Sequence, residues 1–384
     1  MRDSNSERSE IFDVFIGNNQ YTFHFNCDKI IRRLCLGNYY LKGESIMSAN
    51  SFGIDLGTCN LKIYCKAEKK TINEKNTIAI INKTGLYAYG DEAYAMYEKA
   101  PENIEVSFPV INGVIADYNN MQTVIIELLN KHTKSRLKGA EFIVAVPTDI
   151  TEVEKKSFYD MFFKSRLKPR RVLLCEKPIA DAVGLGLDPT EPTGIMIVDI
   201  GADTTEISVI SLSGLVISEL LHFGGNKIDE SVANYLKRNY NLYIGQKTSK
   251  QLKEELASAI PMEEEMSSVI VGRDVVNGLP IEMEITSSMI YDAIKDNVNS
   301  IINSIKIVLE KTPPELARDV IRSGIYLTGG SSKIRDMDRL FTETTNIRVN
   351  VADEPEECVV RGLDMIVTDP KLSRLPYEMN AKNY

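Results

Sequence analysis

A short turn signature occurs twice in this chain and limits the folds that it can adopt. Each copy begins with an apolar run typical of a buried strand, continues into an Asp-x-Gly turn, and leads into a second strand-like run. The first turn is Asp55-Leu-Gly57 and the second is Asp199-Ile-Gly201. A repeat on this scale predicts two halves built on one plan, with a cleft between them.

From position 51 onward, strand-like and helix-like patterns alternate, which predicts an α/β fold. A long amphipathic helix is predicted at 288–311, stopping before a Pro-Pro pair. Another helix is predicted at 152–167, with Val153 on its apolar side. The predicted organisation comprises an extension at 1–50, a first domain at 51–187 with a small subdomain at about 79–118, a second domain at 188–346 with a small subdomain at about 225–291, and a return to the first domain with a loose tail at 347–384.

The extension is polar, rich in aromatic residues and weakly patterned. A short strand is predicted at 22–25 and a short basic helix at 29–36. Lys42-Gly-Glu44 can be encoded by a purine-rich string that resembles a bacterial ribosome-binding site, and Met47 follows it closely. We therefore hypothesise that the native chain starts at Met47; the alternative is that the extension is an additional arm.

Composition excludes several classes of protein. The net charge of -9 and an isoelectric point near 5.2 argue against nucleic-acid binding, which favours a basic surplus. No apolar run approaches the roughly 20 residues that span a bilayer. The six cysteines lack Cys-x-x-Cys spacing and the three histidines form no metal motif. We expect a cytoplasmic protein with reduced thiols, and any membrane contact to be peripheral.

The first turn carries groups suited to a phosphate. Gly57 lets backbone N–H groups approach an anion closely, and Thr58, Cys59 and Asn60 complete the turn, with side-chain donors on Thr58 and Asn60. Asp55 ends the strand, where its carboxylate suits a magnesium ion beside a nucleotide phosphate. When this turn is considered alone, an ordinary hairpin is the better explanation.

The second turn makes a nucleotide site the better interpretation. Asp199 is the second candidate magnesium-side carboxylate, and Gly201, Ala202 and Asp203 follow it around the turn. Thr204 is a candidate catalytic residue that holds the attacking water. Two such turns facing each other could clamp a triphosphate.

A third turn follows another predicted strand, and its members are Gly329, Gly330, Ser331 and Ser332. Paired glycines permit close backbone approach to a base or ribose. The chain has no Gly-x-x-x-x-Gly-Lys-Ser/Thr run, so it is not a P-loop enzyme. Three such turns in order predict a site for ATP with magnesium.

Six stretches carry a family resemblance, and they lie at 53–60, 112–118, 198–206, 209–212, 309–316 and 324–330. They resemble the MreB-type bacterial actins of the actin-like ATPase superfamily, over about residues 52–368. Sugar kinases and DnaK-type chaperones share the phosphate turns but lack the runs at 113–117 and 313–316.

The resemblance implies a duplicated two-domain fold of four subdomains with a nucleotide cleft between the halves. It also implies filaments of this chain at the inner face of the cell membrane, and a role in peptidoglycan synthesis and cell shape. The implied partners are further copies of the chain and the elongation proteins MreC, MreD and RodZ. Two alternatives remain open: a kinase- or chaperone-type ATPase on the same fold, and a hydrolysis-deficient MreB paralogue that modifies filaments.

The chain departs from this family in its nucleotide site. The family has Glu-Glu-Pro where this chain has Glu176-Lys177-Pro178, so Lys177 replaces the carboxylate that positions the hydrolytic water. Glu176 is one position away, which on a helix is about 100° of rotation, so it is a poor substitute. We therefore expect at most a slow ATPase, with a primarily structural role.

Two further departures concern charge. Ala202 and Asp203 replace two glycines of the family's second turn, and Lys250 reverses a charge in the nucleotide-edge helix while Lys253 is retained. One interpretation is that Lys177 and Asp203 pair across the cleft, so ATP still binds. The other is a degenerate site. We favour binding with slow hydrolysis.

The loop at 132–138 is the candidate membrane contact. Leu137 could insert shallowly while neighbouring cations meet anionic headgroups, each worth about 1 kcal/mol. The alternative is an ordinary solvated basic loop.

Overall fold

The structure is a computed structural model that describes residues 9–16, 19–26 and 47–379. It divides into two compact units, Met1–Ser45 and Ile46–Tyr384. In the first unit, β1 (Ser9–Ile16) and β2 (Asn19–Asn26) form an antiparallel pair. The predicted strand at 22–25 is confirmed by β2, whereas the predicted helix at 29–36 lies outside the described residues.

The second unit begins with an α/β half built around a five-stranded sheet. Its strands are β3 (Ser51–Leu56), β4 (Asn60–Cys65), β5 (Lys70–Lys75), β6 (Ile78–Ile81), β7 (Gly85–Tyr89), β8 (Ile104–Ser107), β9 (Val110–Ile111), β10 (Val114–Ile115), β11 (Glu141–Val146) and β12 (Arg171–Glu176). Its helices are α1 (Gly90–Met96), α2 (Tyr118–His132), α3 (Glu152–Phe163) and α4 (Lys177–Gly184). The main sheet has the order β12-β11-β3-β4-β5, and a small sheet has the order β7-β6-β8.

The remainder of this unit forms a second α/β half. Its strands are β13 (Ile195–Ile200), β14 (Thr205–Ser211), β15 (Gly214–Leu221), β16 (Leu242–Tyr243), β17 (Ser267–Asp274), β18 (Pro280–Thr286), β19 (Ile325–Thr328) and β20 (Val349–Val351). Its helices are α5 (Gly225–Tyr240), α6 (Gln246–Leu256), α7 (Ser287–Lys311), α8 (Pro314–Ser323) and α9 (Met337–Thr345). The last helix, α10 (Cys358–Thr368), packs on the first half. The main sheet has the order β15-β14-β13-β19-β20, and a small sheet has the order β16-β17-β18.

The two main sheets share one topology, which confirms the predicted duplication. In the first half, β3 pairs antiparallel with β4 and parallel with β11, which pairs parallel with β12. In the second half, β13 pairs antiparallel with β14 and parallel with β19, which pairs parallel with β20. Both Asp-x-Gly turns therefore join the central strand of a sheet to its antiparallel neighbour.

Helices α4 and α10 pack closely against each other near the joint between the halves. A Cβ at Gly184 would clash with the carbonyl of Cys358, and one at Gly362 would clash with the carbonyl of Ala180. Glycine at these two positions lets the helix backbones approach each other. Helix α10 also covers β3, so the chain returns to its first half.

Helix α3 differs from its prediction. The helix ends at Phe163, and Val153 is 70% exposed, so its predicted place on the buried face is wrong. Phe158, Met161 and Phe162, which the same spacing places on that face, are buried as predicted. Val153 is the second helical residue after the capping residue Thr151. Its side chain lies at the solvent-exposed end of the helix and does not pack against the core.

Two predictions near the C-terminal end also need correction. Pro314 was predicted only to stop α7, but it is the first residue of α8, a position where the missing N–H costs no hydrogen bond. The tail was predicted to be loose, yet Leu375 is buried and Tyr377 exchanges backbone hydrogen bonds with Leu174. Residues 380–384 lie outside the described residues.

Candidate functional site

A cavity of about 620 Å³ lies between the two halves, where the two Asp-x-Gly turns meet the turn that follows β19. Most of the predicted site residues line it, and they are Asp55, Gly57, Thr58, Cys59, Asn60, Lys177, Asp199, Gly201, Ala202, Thr204, Lys250, Lys253, Gly329, Gly330 and Ser331. The fold thus brings together three turns that are spread between positions 55 and 332 of the sequence.

Three predicted site residues lie away from this lining. The carboxylate of Glu176 accepts a hydrogen bond of 2.8 Å from the hydroxyl of Tyr377, beside a different pocket. Ser332 is buried and donates to the carbonyl of Gly329 at 2.6 Å. The carboxylate of Asp203 accepts from the backbone N–H of Asn112 at 2.9 Å. Each of these side chains is engaged in a hydrogen bond, and none of the three lines the cavity.

The predicted ion pair between Lys177 and Asp203 is wrong. Among the residues that the structure describes, the acidic partner of Lys177 within 4.0 Å is Asp55, with Nζ and Oδ1 3.9 Å apart. Asp203 instead accepts a 2.7 Å hydrogen bond from the Asn226 side chain. Lys177 is the first residue of α4 and follows the last residue of β12. In the sheet order β12-β11-β3, the ends of these parallel strands lie along one edge, so Lys177 is close to the end of β3.

Lys62 was not predicted as a site residue, yet it lines the cavity and contacts Asp55. Its Nζ donates to Asp55 Oδ2 at 3.1 Å. The two residues are directly opposite in the β3–β4 pair, so their side chains share one face of the sheet. One sequence feature could have identified Lys62 as a site residue: it is a single lysine between Leu61 and Ile63, which are both buried in β4.

The charges around Asp55 reinforce one another. Burial alone would raise the pKa of Asp55, but the charges of Lys62 and Lys177 outweigh it and lower that pKa. Burial would likewise lower the pKa of Lys177, but the charges of Asp55, Glu206 and Asp199 raise it. Asp55 and Lys177 are therefore both ionised at neutral pH, as a buried ion cluster requires.

Other carboxyl groups near Lys177 are shifted in the opposite direction. Burial raises the pKa of Glu206 to about 7, although the positive charge of Lys177 lowers that pKa in part. Burial and the charges of Asp199 and Glu206 raise the pKa of Asp181 well above its usual range. Glu206, in the second half, accepts a 3.1 Å hydrogen bond from the backbone N–H of Thr148, in the first half. The Glu206 carboxyl group, whose pKa lies near neutral pH, therefore forms a hydrogen bond between the two halves.

Hydrogen bonds hold the second and third turns together. The backbone N–H of Gly225 donates to the carbonyl of Gly201 at 3.0 Å, and the Ser331 hydroxyl donates to the same carbonyl at 2.8 Å. Lys253 donates to the Gly225 carbonyl at 3.0 Å and pairs with Asp229 at 2.7 Å. Lys253 therefore positions the start of α5.

The lining is basic although the chain as a whole is acidic. Seven basic side chains contribute to it, namely Lys62, Lys75, Lys177, Lys250, Lys253, Lys333 and Arg335. Four acidic side chains oppose them, namely Asp55, Asp199, Glu254 and Glu356. A concave site with this excess of positive charge attracts polyanions such as nucleotide phosphates.

Magnesium was predicted at Asp55 and Asp199, and Asp55 keeps one carboxylate oxygen that no hydrogen bond occupies. Magnesium takes carboxylate oxygens in near-octahedral geometry. Oδ2 of Asp55 accepts a 3.1 Å hydrogen bond from Lys62, whereas Oδ1 is buried without a hydrogen-bond partner and lies 3.9 Å from the Lys177 ammonium. Among the described residues, no group of three or more His, Cys, Asp or Glu side chains could hold a metal ion.

The loop at 132–138 does not present an apolar anchor. Leu137 is half-buried and packs against the core of the first half. The Glu68 carboxylate accepts hydrogen bonds from the backbone of Lys134 and Ser135, which fixes the loop. The structure favours the alternative of an ordinary surface loop. Every helix in the described part of the chain is too short or too polar to cross a membrane.

Two sheets of one topology, a cleft between them and a helix pair near the joint define an actin-like protein. Comparison with known families agrees with this class. Residues 49–374 match the family described as MreB/Mbl protein, and the chain belongs to that family.

Individual relatives are similar over nearly their full length. The cell shape-determining protein Mbl of Bacillus cereus is 37% identical over 332 residues, which cover 86% of this chain and 98% of Mbl. The cell shape-determining protein MreB of Escherichia coli K12 is 36% identical over 323 residues, which cover 82% of this chain and 92% of MreB.

Solved structures show the same fold. MreB5 of Spiroplasma citri bound to AMPPNP is 32% identical with a TM-score of 0.79, covering 82% of this chain and 95% of MreB5. MamK in a double helical filament is 20% identical with a TM-score of 0.71, covering 83% of this chain and 98% of MamK. The MamK likeness concerns the fold alone.

Proposed function

We propose that this protein is a nucleotide-binding cytoskeletal filament protein that determines cell shape. The observation that carries the proposal is the basic cavity between two facing turns, in a chain whose overall charge is negative. Binding of AMPPNP and of ADP by MreB5 supports a nucleotide as the ligand, and we propose ATP.

In this proposal, the nucleotide phosphates lie between the first and second turns. Gly57 and Gly201 let backbone N–H groups approach them, and Thr204 contacts the terminal phosphate side. Gly329 and Ser331 in the third turn face the ribose and base. The cavity volume of about 620 Å³ lies within the range typical of small-molecule sites.

Hydrolysis is proposed to be slow. A water molecule needs a nearby base to become a good nucleophile, and the ammonium of Lys177 stays protonated beside Asp55. Glu176 is engaged with Tyr377 and does not line the cavity. This arrangement also supports a second candidate function, a hydrolysis-deficient paralogue that modifies filaments. In either case the primary role is structural.

Filament formation is proposed to use an apolar tip on the small β16–β18 sheet. We call this the tip surface, and its exposed members are Val269, Val271, Val275, Val276 and Leu279. Exposed apolar patches on a folded protein mark interaction sites. We propose a second copy of the chain as the occupant of the tip surface.

A cell-shape role places the filament at the inner face of the membrane, with MreC, MreD and RodZ as partners. This part of the proposal rests on the similarity to MreB and Mbl. Peripheral attachment would then pass through those partners, because the loop at 132–138 offers no exposed apolar residue.

The proposal is tested by sedimentation of the purified chain with and without ATP, followed by electron microscopy of the pellet. Nucleotide-dependent filaments are expected. Soluble protein that transfers phosphate to a metabolite would favour a kinase on the same fold. Isothermal titration calorimetry on the same sample measures ATP affinity, and a lack of binding would refute the proposed site.

A further inference from the structure

Two helices from opposite halves cap each other's ends beside the cavity. Helix α6 begins at Gln246, and its N-cap residue, Gly245, has no side chain that could accept a hydrogen bond. The carboxylate of Glu98, in the first half, accepts hydrogen bonds from the backbone N–H groups of Gln246 and Lys247 at 2.8 and 3.2 Å. A Cβ at Gly245 would lie 2.8 Å from Glu98 Oε2, so the glycine leaves room for this carboxylate. Glu98 thus satisfies two free donors at the positive end of the α6 dipole.

The second contact runs in the opposite direction. The last turn of α1 contains no basic residue of its own. Lys247 Nζ donates to the backbone carbonyls of Tyr94 and Ala95 in that turn, at 2.7 and 3.3 Å. The Tyr97 hydroxyl adds a 2.7 Å hydrogen bond to the side chain of Gln246. Each helix end therefore receives a charged side chain from the other half. We call Glu98 and Lys247, with the two helix ends that they cap, the clasp.

The clasp lies at the rim of the cavity. Lys247 is one turn before Lys250 on α6, and Lys250 lines the cavity. The Lys250 ammonium lies 3.8 Å from Cys59 Sγ, in the first turn of the opposite half. The ring of Tyr94 contacts both lysines, with Lys247 Nζ 4.9 Å and Lys250 Nζ 5.9 Å from its centroid. The contacts that join the halves therefore continue from the clasp to the lining.

The position of the clasp gives it control over the cleft. It joins α1 and α6, which follow strands of the two small sheets. The chain itself crosses between the halves elsewhere, at 185–194 and at 352–357. Domains that open around a ligand turn about a few residues at such crossings. A rotation of this kind would separate α1 from α6, so it requires both caps to break.

We infer that the clasp controls the entry and release of nucleotide, which require Glu98 and Lys247 to release the helix ends. Nucleotide is the ligand of the proposed function, so the inference rests on that proposal. Neither Glu98 nor Lys247 lines the cavity, so their loss leaves the residues around the bound ligand in place. A gate that does not touch the ligand changes the rates of binding and release together, and changes affinity less.

The first test needs no nucleotide, because Cys59 reports on access to the cavity. Cys59 lines the cavity and is half-buried, whereas the other cysteines in the described part of the chain are buried. Its Sγ lies 3.6 Å from Lys75 Nζ and 3.8 Å from Lys250 Nζ. The measurement is the rate at which N-ethylmaleimide alkylates Cys59 in the full chain, followed by mass spectrometry of the peptide that carries it. Opening of the clasp should raise that rate.

Two substitutions make the comparison. Glu98→Ala should raise the alkylation rate of Cys59 about fivefold, as expected for the loss of a helix cap. Glu102→Ala is the matched control, because Glu102 is exposed, lies four positions further along the same half, and its side chain has no hydrogen bond or ion pair with the described residues. The control should react at the wild-type rate. Equal rates for Glu98→Ala and wild type would overturn the inference, whether or not nucleotide binds.

The second test measures release of a fluorescent ATP analogue in a stopped-flow chase with excess ATP. Glu98→Ala and Lys247→Met should each release and bind the analogue about fivefold faster, with a dissociation constant within about threefold of wild type. Release at the wild-type rate in both variants would overturn the inference and leave the proposed function standing. If the wild-type chain does not bind the analogue, the proposed function fails, and the Cys59 rates alone decide whether the clasp closes the cavity. Glu98→Gln, which keeps the side-chain size without the charge, replaces Glu98→Ala if circular dichroism shows that variant to be unfolded.

Discussion

Glu206 in the second half accepts hydrogen bonds from both the backbone N–H and the hydroxyl of Thr148 in the first half, at 3.1 and 3.3 Å. The residue opposite Glu206 across the β13–β14 hairpin is Asp199, which lines the cavity. The contact between the halves therefore lies one strand away from a carboxylate that lines the cavity.

This contact predicts a pH dependence of stability. Burial raises the pKa of Glu206 from 4.5 to about 7, so the folded state binds more protons than the unfolded state between those values. Stability should therefore fall as pH rises from about 4.5 to about 7. Glu206→Gln keeps an acceptor for Thr148 and should flatten this decline. Thermal unfolding at pH 5, 6, 7 and 8 checks it; parallel curves for both proteins would contradict it.

Position 177 predicts the effect of restoring the family residue. Lys177→Glu would place a carboxylate beside Asp55, with Asp199 and Glu206 nearby, so ATP affinity and stability should both drop. We expect at least a tenfold loss of affinity, measured by calorimetry. Lys177→Met, which removes the charge without reversing it, should lose less.

Substitutions at Asp203 and Lys177 should have additive effects on the free energy of unfolding. Lys177 and Asp203 have different partners, so Lys177→Glu with Asp203→Gly should show the sum of the single effects on unfolding free energy, within about 0.5 kcal/mol. Urea unfolding of the four proteins provides the cycle. A larger coupling energy would show that the two residues interact.

Substitution of Gly329 by alanine should be much more damaging than the same substitution at Gly330. A Cβ at Gly329 would clash with Asp199 Oδ1, and its φ of +83° disfavours other residues. Gly329→Ala should lower stability by about 1–3 kcal/mol and weaken ATP binding. Gly330→Ala is the control, because its Cβ would meet only Glu356 Cβ at 3.7 Å. Equal effects of the two substitutions would contradict the prediction.

Leu137 predicts a structural role. Since it packs against the core of the first half, Leu137→Glu should destabilise the fold by about 1–3 kcal/mol in urea unfolding. Liposome co-sedimentation should not change in the variant that remains folded. Unchanged stability together with lost liposome binding would restore the membrane-anchor interpretation.

The tip surface predicts an assembly defect. Val276 is 78% exposed, so Val276→Asp should leave the fold and ATP binding intact while reducing the pelleted fraction severalfold. Val153→Asp is the matched control, because Val153 is 70% exposed but lies on α3 in the other half. Similar pelleting of both variants would exclude the tip surface as a filament contact.

The sequence by itself determined the fold class, the duplication and the three turns of the site. Those features depend on local patterns: an apolar run followed by Asp-x-Gly, or a strand followed by paired glycines, is legible without knowledge of distant contacts. The helix predicted at 288–311 agrees with α7 (Ser287–Lys311) to within one residue for the same reason.

Only the tertiary structure decided which charges meet. Lys177 was assigned to Asp203 because both depart from the family pattern, but the strand order places Lys177 beside Asp55. Lys62 lies in the site because the register of the β3–β4 pair places it opposite Asp55. The sequence pattern alone did not reveal that register. Ion pairs depend on distances of a few ångströms between elements remote in the chain, and packing of the sheets sets those distances.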